Sequence, residues 1–283
     1  MIKKTVSMHP CFSHSAHMVY GRIHLPVAPK CNISCRFCDR KYDCVNESRP
    51  GVTSKVLSPE EALARLNREL ASEPHLRVAG IAGPGEPLYN EETFETFRLI
   101  HECYPELMLC ISSNGLLVEE RLEELLSCGV STLTMTISAV DTNAACRIYD
   151  DVLTNRELHP ERIDRIGAFL KKQQSGLYRA CRSGLTVKIN TVLIPGINDG
   201  QVEQIARLGE DAGASLMNIM PLIPCGRMQQ MRSPQREELH AARRLAGKYL
   251  PQFTMCKQCR ADACGIPGLE EHLNKAVLRS ECI

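Results

Sequence analysis

No stretch of this sequence is apolar for long enough to cross a membrane. Nothing approaches the roughly 18 apolar residues of a spanning helix, and the opening MIKKTVSMHPCF lacks the apolar run of a signal peptide. Nor is there a surplus of charge. Lys and Arg number 34 against 33 Asp and Glu, a net charge of +1, which leaves no case for nucleic acid or an anionic membrane as partner. Linker-like segments, low-complexity tracts and convincing internal repeats are also missing. These absences point to a soluble, cytoplasmic protein whose 283 residues form one sizeable core.

Cysteine is what the chain has in excess. Fifteen are present, and in a reducing compartment metal ligation explains such a number better than a disulfide framework. Cys103, Cys128, Cys146 and Cys181 stand singly in helical or loop patterns and are expected to be small buried hydrophobes. Seven others fall in two clusters. CNISCRFCDRKYDC places Cys31, Cys35 and Cys38 in C-x3-C-x2-C spacing with Cys44 six residues on, and CKQCRADAC places Cys256, Cys259 and Cys264 in C-x2-C-x4-C spacing.

Between these clusters the chain reads as strands alternating with helices. Short apolar or alternating runs fall at about 20–28, 77–82, 107–112, 130–138, 185–193 and 215–220. Amphipathic segments at 91–103, 117–127, 161–172, 200–211 and 235–248 separate most of them. SPEEALARLNREL adds a helix with Ser58 as N-cap, Pro59 at the first position and Glu61 completing a capping box. Six strand-then-helix units predict a parallel sheet in an α/β fold, since parallel neighbours need crossover connections. The unusual loops CNISCRFC, GPGEP, SSNG, SAVD, PGIND and PLIPCG each follow one of the six strands. In parallel barrels that rim is where the site lies.

The C-x3-C-x2-C spacing suits a structural zinc site poorly, because such sites close with paired C-x2-C units. Three thiolates on a compact loop suit a 4Fe-4S cubane with its fourth iron open to another ligand. With Phe37 before the last cysteine and the six-unit pattern after it, the chain resembles the radical S-adenosylmethionine (radical SAM) superfamily. That resemblance implies a partial (β/α)6 parallel barrel in which Cys31, Cys35 and Cys38 hold the SAM-cleaving cluster and Phe37 lies against the adenine. It matches Gly85 and Glu86 of GPGEP to the loop facing the methionine amine. Ser113, Asn114 and Thr136 are expected at the ribose and carboxylate, and Ile189 beside the adenine.

Longer strings narrow the resemblance. HPCFSHSAH, VAPKCNISCRFCDRKYDCVNESRPGV, GPGEPL, SSNGL and CKQCRADACG together resemble the NifB family, from His9 to about Gly265. That family methylates and fuses two 4Fe-4S clusters into the eight-iron, carbide-centred precursor of the nitrogenase cofactor. One SAM supplies the methyl group, and the radical made from a second abstracts hydrogen from it. The resemblance implies two further 4Fe-4S clusters as substrate, with Cys11, Cys44, Cys110, Cys256, Cys259 and Cys264 as candidate thiolates. His24 is the preferred nitrogen ligand, and His9 and His17, flanking Cys11, are the next. Glu47 in NESRPG is a candidate labile ligand or proton acceptor, and Cys225 a further thiol at the rim. Met18 stands where many relatives have a second consecutive histidine.

The expected organisation is an N-terminal cluster-binding extension over 1–19, a catalytic core over 20–234, and a C-terminal helix and cysteine-bearing tail over 235–283 that close the site. The family's long form carries a C-terminal carrier-like domain, and this chain is expected to be a short form without it. Implied partners are a nitrogenase cofactor assembly scaffold and carrier proteins, an iron–sulfur cluster donor and a low-potential ferredoxin-type reductant. Two other readings stay open: a radical SAM maturase with auxiliary clusters acting on a peptide, and a non-catalytic iron–sulfur scaffold.

Overall fold

A computed structural model describes residues 7–153, 161–267 and 269. Six parallel strands lie side by side in chain order: β1 (Gly21–His24), β3 (Leu76–Ile81), β4 (Met108–Ser113), β5 (Val130–Thr136), β7 (Thr186–Leu193) and β8 (Leu216–Pro221). Each pair is joined through at least one helix: α1 (Pro59–Ser72), α2 (Glu91–Cys103), α3 (Val118–Ser127), α4 (Thr142–Ile148) with α5 (Arg162–Arg182), and α6 (Val202–Ala212). A last helix, α7 (Arg236–Ala246), follows β8. The result is the expected curled parallel half-barrel, and the capping box of Ser58 and Glu61 starts α1 as read. Among the described residues no helix is long and apolar enough to cross a membrane.

The two faces of the sheet differ in chemistry. Ile23, Ile81, Ile111, Leu133, Ile189 and Ile219 are buried in the core that also takes Leu66 of α1, Phe94 and Phe97 of α2, and Leu122 of α3. Residues between them on the strands point the other way, and many are polar yet withdrawn from water: Arg22, Thr132, Thr134, Lys188 and Asn218 are all under 5% exposed. A polar sheet face normally meets solvent. Here Arg22, Thr134 and Lys188 line a cavity.

Three features lay beyond the sequence pattern. Residues of the first cysteine motif form β2 (Ile33–Cys35), paired antiparallel with β6 (Tyr149–Val152), and Arg36 forms an ion pair with Asp150 beside that pairing. The helix expected at 161–172 runs on to Arg182. Gly176, a poor residue for a helix interior, allows this close packing, because a Cβ there would meet Val118 at 3.1 Å. Finally β9 (Cys264–Gly265) joins the β1 edge antiparallel.

Residues near both ends of the described chain pack against the sheet, while 1–6 and 270–283 of the expected N-terminal extension and tail lie outside the described residues. Phe12 packs with Leu216 and Phe253 in a small separate core. The returning tail is clamped by Asp262, which pairs with Arg260 and accepts from the Ser54 amide and hydroxyl at 2.7 and 2.8 Å. Arg260 reaches on to the carbonyls of Cys44 and Glu47, and Arg65 to those of His24 and Asp262. The cysteines of 256–259 are thereby tied to strand one and to the loop after the first motif.

Arg260 and its neighbouring donors hold the Asp262 carboxyl well below its ordinary range, against the opposing effect of burial. A depressed carboxyl stabilises the fold above its unfolded value and loses that contribution as pH falls below about 4. We expect Asp262→Asn to cost about 3 kcal/mol at neutral pH, with the deficit shrinking between pH 5 and pH 2 in denaturant titrations. Hydrogen exchange should quicken over 256–265. An unchanged deficit across that range would rule out the ion pair as the clamp.

Candidate functional site

The first motif is shaped by its neighbours as much as by its own sequence. Cys35 ends β2 opposite Tyr149, the Cys38 amide donates to the Cys35 carbonyl at 3.1 Å, and the Arg36 amide donates to Ile148 at 2.8 Å. Cys31, Cys35, Phe37 and Cys38 all line the cavity. Burial is the main reason that these thiols resist ionisation: Cys31 is pushed up to about 11, with Glu86 adding to it, and Cys35 and Cys38 are also raised. A metal that takes them as thiolates must therefore displace protons.

GPGEP is bound to the backbone that leads into this motif. Gly85 donates to the Ala28 carbonyl at 2.6 Å and Glu86 donates through its amide to Lys30 at 2.8 Å. A Cβ on Gly85 would stand 2.3 Å from the Lys30 carbonyl oxygen, so the close approach requires glycine. The Glu86 carboxylate accepts from Ser113 Oγ at 2.7 Å, from the Asn114 amide at 2.7 Å and from the Leu88 amide at 3.1 Å. Asn114 reaches Asn32 at 2.7 Å, and Gln173 of α5 donates to the carbonyls of Asn114 and Thr136. Gly85, Glu86, Ser113, Asn114 and Thr136 share the cavity wall with the motif. Sequence reading missed Gln173, whose only signal is an amide on the inward side of an amphipathic helix.

A second group of metal-binding side chains lines the same cavity. His24 and Cys110 flank Gly80 in one cross-strand row, and a Cβ on Gly80 would lie 3.4 Å from the His24 ring and 3.7 Å from the Cys110 Cβ. The missing side chain keeps the space between them open. His24 donates from Nδ1 to the Arg260 carbonyl at 3.1 Å, which leaves Nε2 as an acceptor. Burial and then Arg22 lower His24 to about 3, so the ring is neutral at physiological pH. Cys11, His9 and His17 come from the N-terminal extension. His17 Nδ1 donates to Pro10 at 2.8 Å, His9 Nδ1 accepts from the Cys11 amide at 3.1 Å, and the Nε2 atoms of both are buried without a protein partner. Cys256 and Cys259 of the tail complete this part of the wall, with Arg22 donating to Cys259 Sγ at 3.0 Å.

Four expected residues do not reach the cavity wall. Ile189 is on the outer face of β7 against Gly209 of α6, because its neighbours Lys188 and Asn190 take the inward positions. Cys264 is carried by β9 to the outer layer, where its thiol meets Glu69 at 3.6 Å. Glu47 is held by Lys41 and Arg49 in ion pairs. Cys44 sits in the same loop with its amide donating to Thr53 at 3.1 Å, and of that loop Arg40, Arg49, Pro50 and Gly51 touch the cavity. Cys225 does line it, beside Cys38.

The cavity has a volume of ≈ 320 Å³. Among the described residues no three His, Cys, Asp or Glu side chains converge to hold a single metal ion. The thiols are spread around the wall. Their softness and number, with imidazole and one carboxylate, fit iron–sulfur clusters better than a hard cation.

Burial raises Glu86 from 4.5 to about 7, against three hydrogen bonds that favour the charged form. A carboxyl with a raised folded value loses its stabilising contribution as pH climbs from the unfolded to the folded value. We expect this group alone to cost about 3 kcal/mol between pH 4.5 and pH 7, while His24 contributes with the opposite sign. Denaturant titrations of wild type and Glu86→Gln should differ in slope over that window. Parallel profiles would show that the carboxylate is already ionised at its lower end.

Comparison with known proteins bears on both halves of the cavity. Residues 25–209 match the model of the radical SAM superfamily. The chain is 44% identical to the FeMo cofactor biosynthesis protein NifB of Chlorobaculum tepidum over 93% of its length, and 42% identical to that of Azotobacter vinelandii over 94%. It spans 62% and 54% of those two relatives. With the NifB of Methanocaldococcus infernus the identity is 44% over 91% of this chain and 85% of that one. Among solved structures, Streptococcus suis SuiB (TM-score 0.59, 13% identity, 85% of this chain and 51% of that one) shares the fold. So does methylornithine synthase PylB (TM-score 0.55, 16% identity, 89% and 68%). The motif that shapes one part of the wall is thus that of a superfamily, the match across the rest of the chain is to one branch of it, and the chain belongs to the NifB family of radical SAM proteins.

Proposed function

We propose that this protein is a radical SAM carbide synthase, which methylates and joins two 4Fe-4S clusters into the eight-iron, carbide-centred precursor of the nitrogenase cofactor. The observation that carries this reading is the single cavity with separate sets of thiols: Cys31, Cys35 and Cys38 in one, and Cys11, Cys110, Cys256 and Cys259 with His24 in the other. A peptide-modifying maturase with auxiliary clusters would also use thiol ligands, and it is the likeness to NifB along nearly the whole chain that favours the cluster-building reading.

In this reading Cys31, Cys35 and Cys38 hold the resident cluster. The cluster with SAM supplies a methyl donor and a hydrogen-abstracting radical. Glu86, Ser113, Asn114 and Thr136 receive the polar groups of SAM, and Phe37 covers its adenine. Glu86 is suited to an ammonium, because a nearby positive charge restores the ionised form that burial opposes. Cys11, Cys110 and His24 hold one substrate cluster in the space that Gly80 leaves open, and Cys256 and Cys259 hold the second. The closed tail and N-terminal extension keep water from the reacting groups and fix their separation. Cluster donor, reductant, assembly scaffold and carrier proteins are the partners such chemistry requires.

Anaerobic reconstitution should load about 12 irons per chain, falling to about 8 when Cys31, Cys35 and Cys38 are all alanine. Zinc at near-unit occupancy with little iron would overturn the reading. The alanine double variant of Cys256 and Cys259 separates substrate from resident cluster. It should still cleave SAM reductively, since metal ligation is largely local, but should make no carbide-bearing cluster. Measuring 5′-deoxyadenosine and cluster transfer to an apo-scaffold in parallel tests this, and undiminished transfer would remove the tail cysteines from the substrate site.

A further inference from the structure

Lys188 has no place in the roles assigned so far. It stands on the inward face of β7 in register with Thr134 of β5, 4% exposed, and it lines the cavity. Its ammonium donates to the Cys11 carbonyl at 3.0 Å and lies 4.6 Å from the ring of Phe12 and 5.6 Å from that of Phe253. None of these partners carries a formal charge. The described cavity wall has a single carboxylate, Glu86, whose oxygens already accept from Ser113, Asn114 and Leu88, whereas lysine and arginine contribute five residues to that wall. A buried cation without an anion is costly. The arrangement is one that waits for negative charge from a ligand.

The position of that charge defines the ligand. Cys11 and Cys110 are close enough to Lys188 to feel its field, and cysteine binds iron as thiolate. A cubane wrapped in thiolates and sulfide is an anion in its ordinary oxidation states and gains one more negative charge on reduction. Net charge and local electrostatics set the reduction potential of such clusters. The Phe12 and Phe253 rings hold the ammonium in place with little water around it, where its effect is larger than at a surface.

We propose that Lys188 is a positioning residue for the cluster held by Cys11, Cys110 and His24: its fixed positive charge retains this anionic substrate and favours its reduced state. The proposal rests on the reading that iron–sulfur clusters are the substrate. It also gives the cavity a means of discrimination, because a neutral peptide gains nothing from the buried ammonium.

The test uses the full chain with Cys31, Cys35 and Cys38 replaced by alanine, so that the resident cluster does not contribute to the signal. Midpoint potentials of the reconstituted clusters are followed by electron paramagnetic resonance, and iron loss to a chelator is timed, for this parent and for added Lys188→Met or Lys188→Arg. Lys188→Met should disfavour the reduced state about tenfold, a shift of about 59 mV to more negative potential for one electron, and should lose iron about tenfold faster. Lys188→Arg should restore most of both. Unchanged potential and retention in Lys188→Met would overturn the role of Lys188 and leave the substrate reading intact. A parent that takes up no cluster would overturn that reading and the proposal together. Equal iron loss in both variants, with a lowered unfolding transition in both, would make Lys188 a packing residue and overturn the proposal.

Discussion

The constraint on which the structure depends is a polar sheet face withdrawn from water. Arg22, Thr132, Thr134, Lys188 and Asn218 project from strands whose other face is a continuous apolar core. A barrel interior is ordinarily filled by branched apolar side chains that pack against one another. These polar groups cannot do so, and each loses hydration that only hydrogen bonds or a ligand can replace. The cavity is therefore a direct consequence of the inward residues. Gly80 leaves room within it, and Cys11, Cys110 and His24 stay neutral because burial disfavours their charged forms.

Glu86 plays the organising part at the carboxyl ends of the strands. One buried carboxylate joins the loops after β3 and β4, while the backbone of its own loop joins the segment that enters the first cysteine motif. Asn114 and Gln173 extend the same network to Asn32 and to the end of β5. Three loops and a helix are thereby referenced to one another through short hydrogen bonds, most of them buried. A network of this kind specifies geometry well, because a missing member leaves a buried group unpaired.

Much of this was legible in the sequence, for identifiable reasons. Six strands and their helices announced themselves by periodicity, and the odd loops fell where the rim must be. Ile189 shows the limit of carrying a role over by position. In TVKINTVL the polar Lys188 and Asn190 alternate with apolar neighbours, and strict two-residue alternation points to them as the inward pair; the isoleucine belongs to the core. Cys264 shows a different limit. Spacing alone unites it with Cys256 and Cys259, but the two-residue strand β9 turns it to the opposite face, and so short a strand carries no periodic signal. The pairing of β2 with β6 was equally hidden, since it joins segments more than a hundred residues apart through tertiary contact.

The tail shows how distant parts of the cavity come to act as one unit. Arg260 uses its side chain to hold the carbonyls of Cys44 and Glu47 and its own carbonyl to receive the proton of His24 Nδ1. The loop following the first motif and the tautomer of a strand-one histidine are thus set by a single residue. Asp262 fixes the guanidinium that does this, and Ser54 and Arg65 fix Asp262 in turn. His24 presents an acceptor to the cavity only while its other nitrogen is engaged as a donor. A shift of the tail would move Cys256 and Cys259 and also release the histidine from its defined tautomer, so the two groups of donors are positioned together or not at all.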